Sequence, residues 1–229
     1  MSPAVGAPMV RAALSFTVLP ESVDEISAIL RGYPRPALVV DQDTRLLRTS
    51  VFLHGNRVVR VVDVQGDLGA ALRHLAAQPR VRRVEERLNP HLTEPRDLTD
   101  PQAARAFFTR AMLRATRTPS MTGAARPRRD AYLLPLGEGS GEQAAKMLAS
   151  VSDTLPPEVE ATVLHREDVL VWLIESEGGE GADAMRRALT THQEALADLL
   201  DADPANGNAP LLERCHMSQI TDRVAEEGV

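Results

Sequence analysis

The run VRAALSFTVL, from Val10 to Leu19, alternates apolar and small or polar residues and predicts a strand that ends at Pro20. Ser22 then offers an N-cap, and Val23, Ile26, Ile29 and Leu30 recur at helical spacing as far as Gly32, with Pro34 and Pro36 beyond it. The runs RLLRTSVFLH, Arg45 to His54, and RVVRVVDV, Arg57 to Val64, predict two strands joined by a hairpin turn at Gly55-Asn56. DLGAALRHLAAQP carries a Leu68, Ala71, Leu72, Leu75 stripe and predicts a helix stopped by Pro79. RVRRVEERL, Arg80 to Leu88, reads as a fourth strand, which completes a β-α-β-β-α-β order.

Asp100 as N-cap and Pro101 at the first helical position open an amphipathic helix, carrying Ala104, Phe107, Phe108, Ala111 and Met112, that extends to Thr116. TRTPSMTGAARPRR, which follows, has the Thr, Pro, Gly and Arg content of a linker and no apolar period. The same element order then recurs: a strand at Asp130 to Leu136, a helix at Gly141 to Ser152, strands at Glu158 to Leu164 and Val169 to Glu175, and a long helix at Ala182 to Leu200. A last strand is expected over Leu211 to Ile220, with the tail VAEEGV frayed. HGNRVVRVVDVQGD from His54 aligns with HREDVLVWLIESEG from His165, which sets His165 in the slot of His54 and Trp172 in that of Val61. The expected fold class is therefore α+β, with two tandem ferredoxin-like units of the dimeric α+β barrel type. The first unit spans residues 1–117, a linker 118–128, and a second, degenerate unit 129–229.

A chain of 229 residues is long enough for two such units, each with its own core. Aromatic residues are only 3%, so a ligand site must rely on aliphatic walls and Arg, and nucleobase stacking is disfavoured. The net charge of -6, with basic residues scattered, leaves no phosphate-backbone footprint, and no nucleic acid partner is expected. Lys146 is the only Lys, which suggests a GC-rich genome of the actinomycete kind. Cys215 is a lone cysteine, and no Cys/His cluster has metal-ligand spacing, so neither a disulfide nor a metal is expected. The first ten residues do not read as a signal peptide, and no apolar run is long enough for a membrane span, so the expected location is cytoplasmic.

Glycine fingerprints for nicotinamide or nucleotide phosphates are missing, as are G-x-S-x-G and H-x-x-x-H, and no cofactor is expected. GEGSGE at Gly137 is a Gly-rich turn without the P-loop Lys, and His91 reads as an exposed loop residue. Strand alternation sets Arg48, Ser50, Phe52 and His54 on one face, and on the next strand it sets Arg60 in an otherwise apolar row with Val58, Val62 and Val64. Asp63 shares the opposite face of that strand with Val59 and Val61. If the polar face lines a cavity, His54, Arg48 and Arg60 are the candidate catalytic groups, able to hold an enolate oxygen or move a proton. Ser15, Ser50, Phe52 and Asp63 are the candidate substrate contacts. The plainer reading makes His54 a solvated strand end and pairs Arg48 and Arg60 with carboxylates, Asp63 being the obvious mate.

LLRTSVFLHGNRVVRVVDVQGD, then RHLAAQP, then PRDLTDPQAARAFFTRAML resemble the SchA/CurD-like family, associated with aromatic polyketide and spore-pigment gene clusters. The strand R-T-S-V-F-L-H, Arg48 to His54, is similar to the R-x-x-F-x-F-H strand of small polyketide cyclases of the dimeric α+β barrel type. The resemblance implies a cavity that folds a poly-β-ketone chain toward one aldol closure, with Arg or His holding an enolate. It implies an aromatic polyketide intermediate as ligand, polyketide synthase components or an acyl carrier protein as candidate partners, and a homodimer as a candidate assembly. Two alternatives share that background: a cofactor-independent monooxygenase that oxidises a polyphenol ring to a quinone, and a non-catalytic subunit that stabilises a polyketide synthase complex.

Overall fold

The computed structural model describes residues 9–33, 39–97, 100–118, 127–178, 180–192, 196, 199–201 and 211–224. Contacts divide the chain into two units: Met1–Met112 with Gln219–Val229, and Leu113–Ser218. Residues 119–126 of the expected linker, and 225–229 of the expected frayed tail, lie outside the described residues. The α+β class with two ferredoxin-like units, expected from the pattern of apolar positions, is the one observed. No described helix is long and apolar enough to cross a membrane.

In the first unit β1 (Met9–Thr17), β2 (Arg45–His54) and β3 (Arg57–Gln65) form an antiparallel sheet in which β3 lies between the other two. The β2–β3 turn falls at Gly55-Asn56 as expected, with Gly55 at φ 54°, a conformation cheap only without a Cβ. Gly66, at φ 92°, ends β3 where a Cβ would collide with the Asp43 carbonyl oxygen. Helices α1 (Val23–Arg31), α2 (Leu68–Ala77), α3 (Pro79–Leu88) and α4 (Pro101–Ala111) contribute their apolar residues to the cores of this unit. Asp67 and Asp100 cap α2 and α4 by accepting hydrogen bonds from first-turn backbone N–H groups.

Two expectations fail in this unit. Arg80 to Leu88 is not a strand but the body of α3: Val81, Val84 and Leu88 are buried at a spacing of three and four, and Pro79 starts this helix as well as stopping α2. The helix expected to reach Thr116 stops at Ala111, and β4 (Met112–Arg117) takes its last residues. The fourth strand beside β2 is β8 (Ser218–Val224), from the far end of the sequence.

The second unit repeats the arrangement with β5 (Arg128–Leu134), α5 (Gly141–Ser152), β6 (Val159–Arg166), β7 (Val169–Ser176) and α6 (Glu180–Thr191). Its strand order is β5-β7-β6-β4. Leu211 to Cys215 is a short helix, α7, rather than the start of the last strand, because Leu212 and Cys215 bury the same side of one turn. Burial pushes the Cys215 thiol up to about 11, so it stays a protonated apolar filler. Trp172 anchors this core, its Nε1 donating to Ser152 Oγ at 2.9 Å.

One buried pair recurs at matching places. On β1 and β3 Arg11 stands opposite Asp63, and its Nε and one terminal nitrogen donate to the two carboxylate oxygens at 2.8 and 3.0 Å. On β5 and β7 Arg129 stands opposite Glu175, with Nε donating at 2.8 Å. The hairpins agree with that correspondence, since His54 faces Arg57 across one turn and Arg166 faces Val169 across the other. Counting back three residues from each carboxylate sets Trp172 at the position of Arg60, not of Val61, and Arg166 rather than His165 at that of His54. The alignment by similar letters was out of step by one residue, which in a strand exchanges the two faces.

Candidate functional site

Cross-strand neighbours in an antiparallel sheet share a face, so the ladder sorts the expected residues directly. Arg48 faces Asp63, Ser50 faces Val61, Phe52 faces Val59 and His54 faces Arg57 across β2–β3, while Ser15 faces Val59 across β1–β3. Six of the seven candidates, Ser15, Arg48, Ser50, Phe52, His54 and Asp63, therefore share one face, with a bulge between Leu46 and Arg48 bringing Arg48 into step. Arg60 faces Leu14 and Val51 on the other. The structure does not bring Arg60 together with His54 and Arg48.

The six-residue face is buried and internally paired. Arg48 donates from Nε and a terminal nitrogen to the two oxygens of Asp222 on β8, at 2.9 and 2.6 Å, and Ser50 Oγ donates to the same carboxylate at 2.8 Å. Asp63 pairs with Arg11 and lies on the face opposite to that of Arg60. Ser15 Oγ accepts a long hydrogen bond from Arg57 at 3.4 Å, Phe52 is fully buried, and His54 is half-buried at the end of β2. His91 is not a free loop residue: its Nδ1 lies 3.0 Å from Ser22 Oγ.

A cavity lies on the other face, between the sheet and the helices of the first unit. Leu14, Val51, Val58 and Val62 form its floor, α1 to α3 supply Leu30, Leu75 and Val81 among other walls, and Phe16, Phe107 and Phe108 close one side. Of the seven expected residues only Arg60 lines it; the other polar groups are Tyr33, Glu85 and Arg96.

Arg60 sits here because β3 alternates, so an Arg in the Val58, Val62 row must project among the residues the helices cover. Its guanidinium lies 4.6 Å from the centroid of the Tyr33 ring, donates to Tyr33 Oη at 3.1 Å and donates from Nε to Thr49 Oγ1 at 3.4 Å. Burial works against the Arg60 charge, but Tyr33 and Glu85 outweigh it and hold the guanidinium protonated. Burial raises the Tyr33 phenol above its ordinary 10.0, although Arg60 opposes the shift. Tyr33 therefore keeps its proton at neutral pH, and because Oη accepts from Arg60, that proton is available to a ligand.

Arg96 also lines the cavity, its guanidinium 4.6 Å from the Phe16 centroid and 4.3 Å from that of Phe107, two rings tilted 59° to each other on adjacent sides of it, and it donates to Glu85 Oε2. Its backbone N–H donates to Asn89 Oδ1 at 2.7 Å, which fixes the loop that carries it. Tyr33, Glu85 and Arg96 escaped the sequence reading for separate reasons. Tyr33 follows the end of a helix, Glu85 lay in a presumed strand, and Arg96 lay in a presumed loop. The second unit offers no counterpart, because Trp172 fills the place of Arg60 and Tyr132, its cross-strand neighbour, fills that of Leu14.

Residues 9–121 match the SchA/CurD like domain. Three relatives align over nearly the whole chain. Protein SchA of Streptomyces halstedii is 43% identical over 96% of this chain and 63% of its own length. The 42.8 kDa protein in the whiE locus of Streptomyces coelicolor is 44% identical over 97% and 60%. Polyketide synthase CurD of Streptomyces cyaneus is 43% identical over 97% and 66%. The chain thus spans 60 to 66% of the length of these relatives. Monooxygenase-like proteins of Fusobacterium nucleatum and Lactobacillus acidophilus align over 96% and 94% of this chain, and 95% and 96% of their own, at 7% and 12% identity. Their TM-scores of 0.49 and 0.47 bear on neither the activity nor the site. The chain thus carries a SchA/CurD-like domain over residues 9–121 and is similar, at identities above two fifths across nearly all of its length, to these three Streptomyces proteins.

Proposed function

We propose that the chain takes part in aromatic polyketide biosynthesis and acts as a cyclase that directs one aldol ring closure of a poly-β-ketone intermediate. The observation that carries this reading is the Arg60–Tyr33 pair, a fixed cation and a protonated phenol in contact inside a cavity whose walls are apolar but for the Glu85–Arg96 ion pair. Ring closure needs an enolate carbon to attack a ketone carbon: the enolate's electron pair becomes the new C–C bond, and the π pair of the broken C=O bond moves onto the ketone oxygen, giving an alkoxide. A methylene between two ketones enolises readily, so the protein must chiefly hold the enolate oxygen and protonate the alkoxide. Arg60 suits the first task and the Tyr33 hydroxyl the second. Apolar walls exclude water and fold the flexible chain so that one pair of carbons meets. In this reading Arg48, Ser50 and Asp63 hold strands together through Asp222 and Arg11, and His54 lies outside the reacting centre. The relatives from polyketide loci support the substrate class, and polyketide synthase components or a carrier protein are the partners such a substrate would arrive on.

Reconstituting the minimal polyketide synthase of the corresponding locus, with and without this protein, tests the reading by product mass and oxygen uptake. A changed ring pattern at unchanged mass and without oxygen uptake is expected, and Arg60→Met should abolish the change. A gain of oxygen with uptake would replace the cyclase by a monooxygenase. More of the same product, unaffected by Arg60→Met, would make the chain a stabilising subunit.

A further inference from the structure

The fifteen residues from Arg73 to Arg87 carry five arginines against two glutamates, in a chain whose net charge is -6. All five arginines are exposed, Arg73 on α2 and Arg80, Arg82, Arg83 and Arg87 on α3. Arg80, Arg83 and Arg87 stand three and four residues apart and share one side of α3. Arg82 reaches across to α2, its Nε donating to the Ala76 carbonyl oxygen at 3.1 Å, one turn from Arg73. None of the five makes an ion pair with a described residue: Arg82 and Arg83 donate to backbone carbonyls, and Glu85 is taken by Arg96. Glu86 is the one acidic residue exposed on either helix. Arg80, Arg82 and Arg83 also fall within the first five residues of α3, which has no acidic residue in its first turn and no side-chain cap. A helix N-terminus is the positive end of the macrodipole, where cations weaken the helix, so this placement opposes folding and raises a positive potential toward solvent.

We propose that the exposed face of α2 and α3 is the docking surface for a small acidic carrier protein that presents the polyketide on a tether. The helices that bear the arginines also wall the cavity, through Leu72, Leu75 and Ala76 on α2 and Val81, Glu85 and Leu88 on α3. Leu72 precedes Arg73, and Ala76 accepts from Arg82, so a partner held by these arginines stands beside the cavity. An acidic partner complements this face and is repelled by the net-negative remainder of the chain, which selects one orientation. A nucleic acid fits less well, because α2 and α3 carry no aromatic side chain on which a base would stack. The inference rests on reading the cavity as the place of ring closure, and it adds how the substrate is delivered there.

Binding of the carrier protein of the corresponding minimal synthase to the full chain, at low salt and then with added salt, tests this. The wild-type chain should bind, and more weakly as salt rises. The triple variant Arg73→Gln, Arg80→Gln, Arg87→Gln should bind more weakly by about 5-fold or more, the range of three exposed charge pairs. A control triple, Arg45→Gln, Arg105→Gln, Arg187→Gln, removes the same charge from exposed positions on β2, α4 and α6 and should bind as the wild type does. Both triples are first checked for an unchanged thermal transition. Equal loss in the two triples, equal binding by all three proteins, or no binding by the wild type overturns the inference. So does a double-stranded DNA fragment that binds the wild-type chain as tightly as the carrier does. In the reconstituted synthase the first triple should lose the altered ring pattern and regain it at higher protein concentration, whereas Arg60→Met should not regain it. Carrier binding that depends on the three arginines, with no altered ring pattern in the wild type, would keep this inference and overturn the cyclase. An altered ring pattern that the first triple leaves intact at limiting protein would do the reverse.

Discussion

A guanidinium and a phenol in contact have opposite demands, and the cavity meets both. Arg60 needs an acceptor to offset its burial and finds Tyr33 Oη, while Tyr33 is kept neutral by the same burial. Tyr33 and Tyr132 are the two tyrosines of the chain, and both titrate above the ordinary 10.0. For Tyr132 burial, helped by the Asp130 charge, pushes the phenol up to about 12. A phenol whose folded pKa lies above its unfolded one contributes stability below pH about 10 and loses it as the pH climbs toward the folded value. Ultraviolet titration of the folded protein should thus show less tyrosinate at pH 10 than the unfolded chain, which is about half ionised there. As much tyrosinate as in the unfolded chain would remove the case for a buried proton donor. Arg60 could be singled out from sequence because an Arg in a Val row breaks a period of two. Arg96 could not, since a loop has no period and its contact with Phe16 joins residues far apart in the chain.

Among the elements, the hairpin of β2 and β3 was readable because alternation and turn chemistry agree, and a glycine with positive φ leaves little else to build. The segment Pro79 to Leu88 is too short and too charged to have been settled by its few apolar residues, although Val81, Val84 and Leu88 stand at the spacing of three and four that its helix buries. A helix there has a direct mutational signature. Arg83 is exposed in the middle of α3, so Arg83→Pro disturbs little packing but breaks the helix ladder, at a cost of about 3 kcal/mol or more. Leu88→Ala, at the buried end, should cost about 2–5 kcal/mol. Denaturant unfolding checks both, and a neutral Arg83→Pro would mean that this segment is not helical in solution. Because Val81, Glu85 and Leu88 also line the cavity, the misread element hid one wall of the site and its acid at the same time.

At the scale of the whole molecule, the first unit takes three strands from its own stretch of chain and a fourth, β8, from the far end of the sequence, which no local pattern discloses. What does mark the correspondence of the units is the buried Arg–carboxylate pair at the same rung of each sheet. A buried ion pair stabilises little against apolar residues of similar size, yet removing one partner is expensive, because a desolvated charge stays behind. Asp63→Leu and Glu175→Leu should each therefore destabilise the protein by about 3–5 kcal/mol. The doubles Arg11→Met with Asp63→Leu, and Arg129→Met with Glu175→Leu, should recover most of that loss. If the two rungs are independent, losses at Asp63 and Glu175 should add within about 0.5 kcal/mol, as those of distant sites do. Equal losses for the singles and the doubles would mean that the carboxylates do more than neutralise an arginine, and that the shared rung marks a second requirement of each sheet.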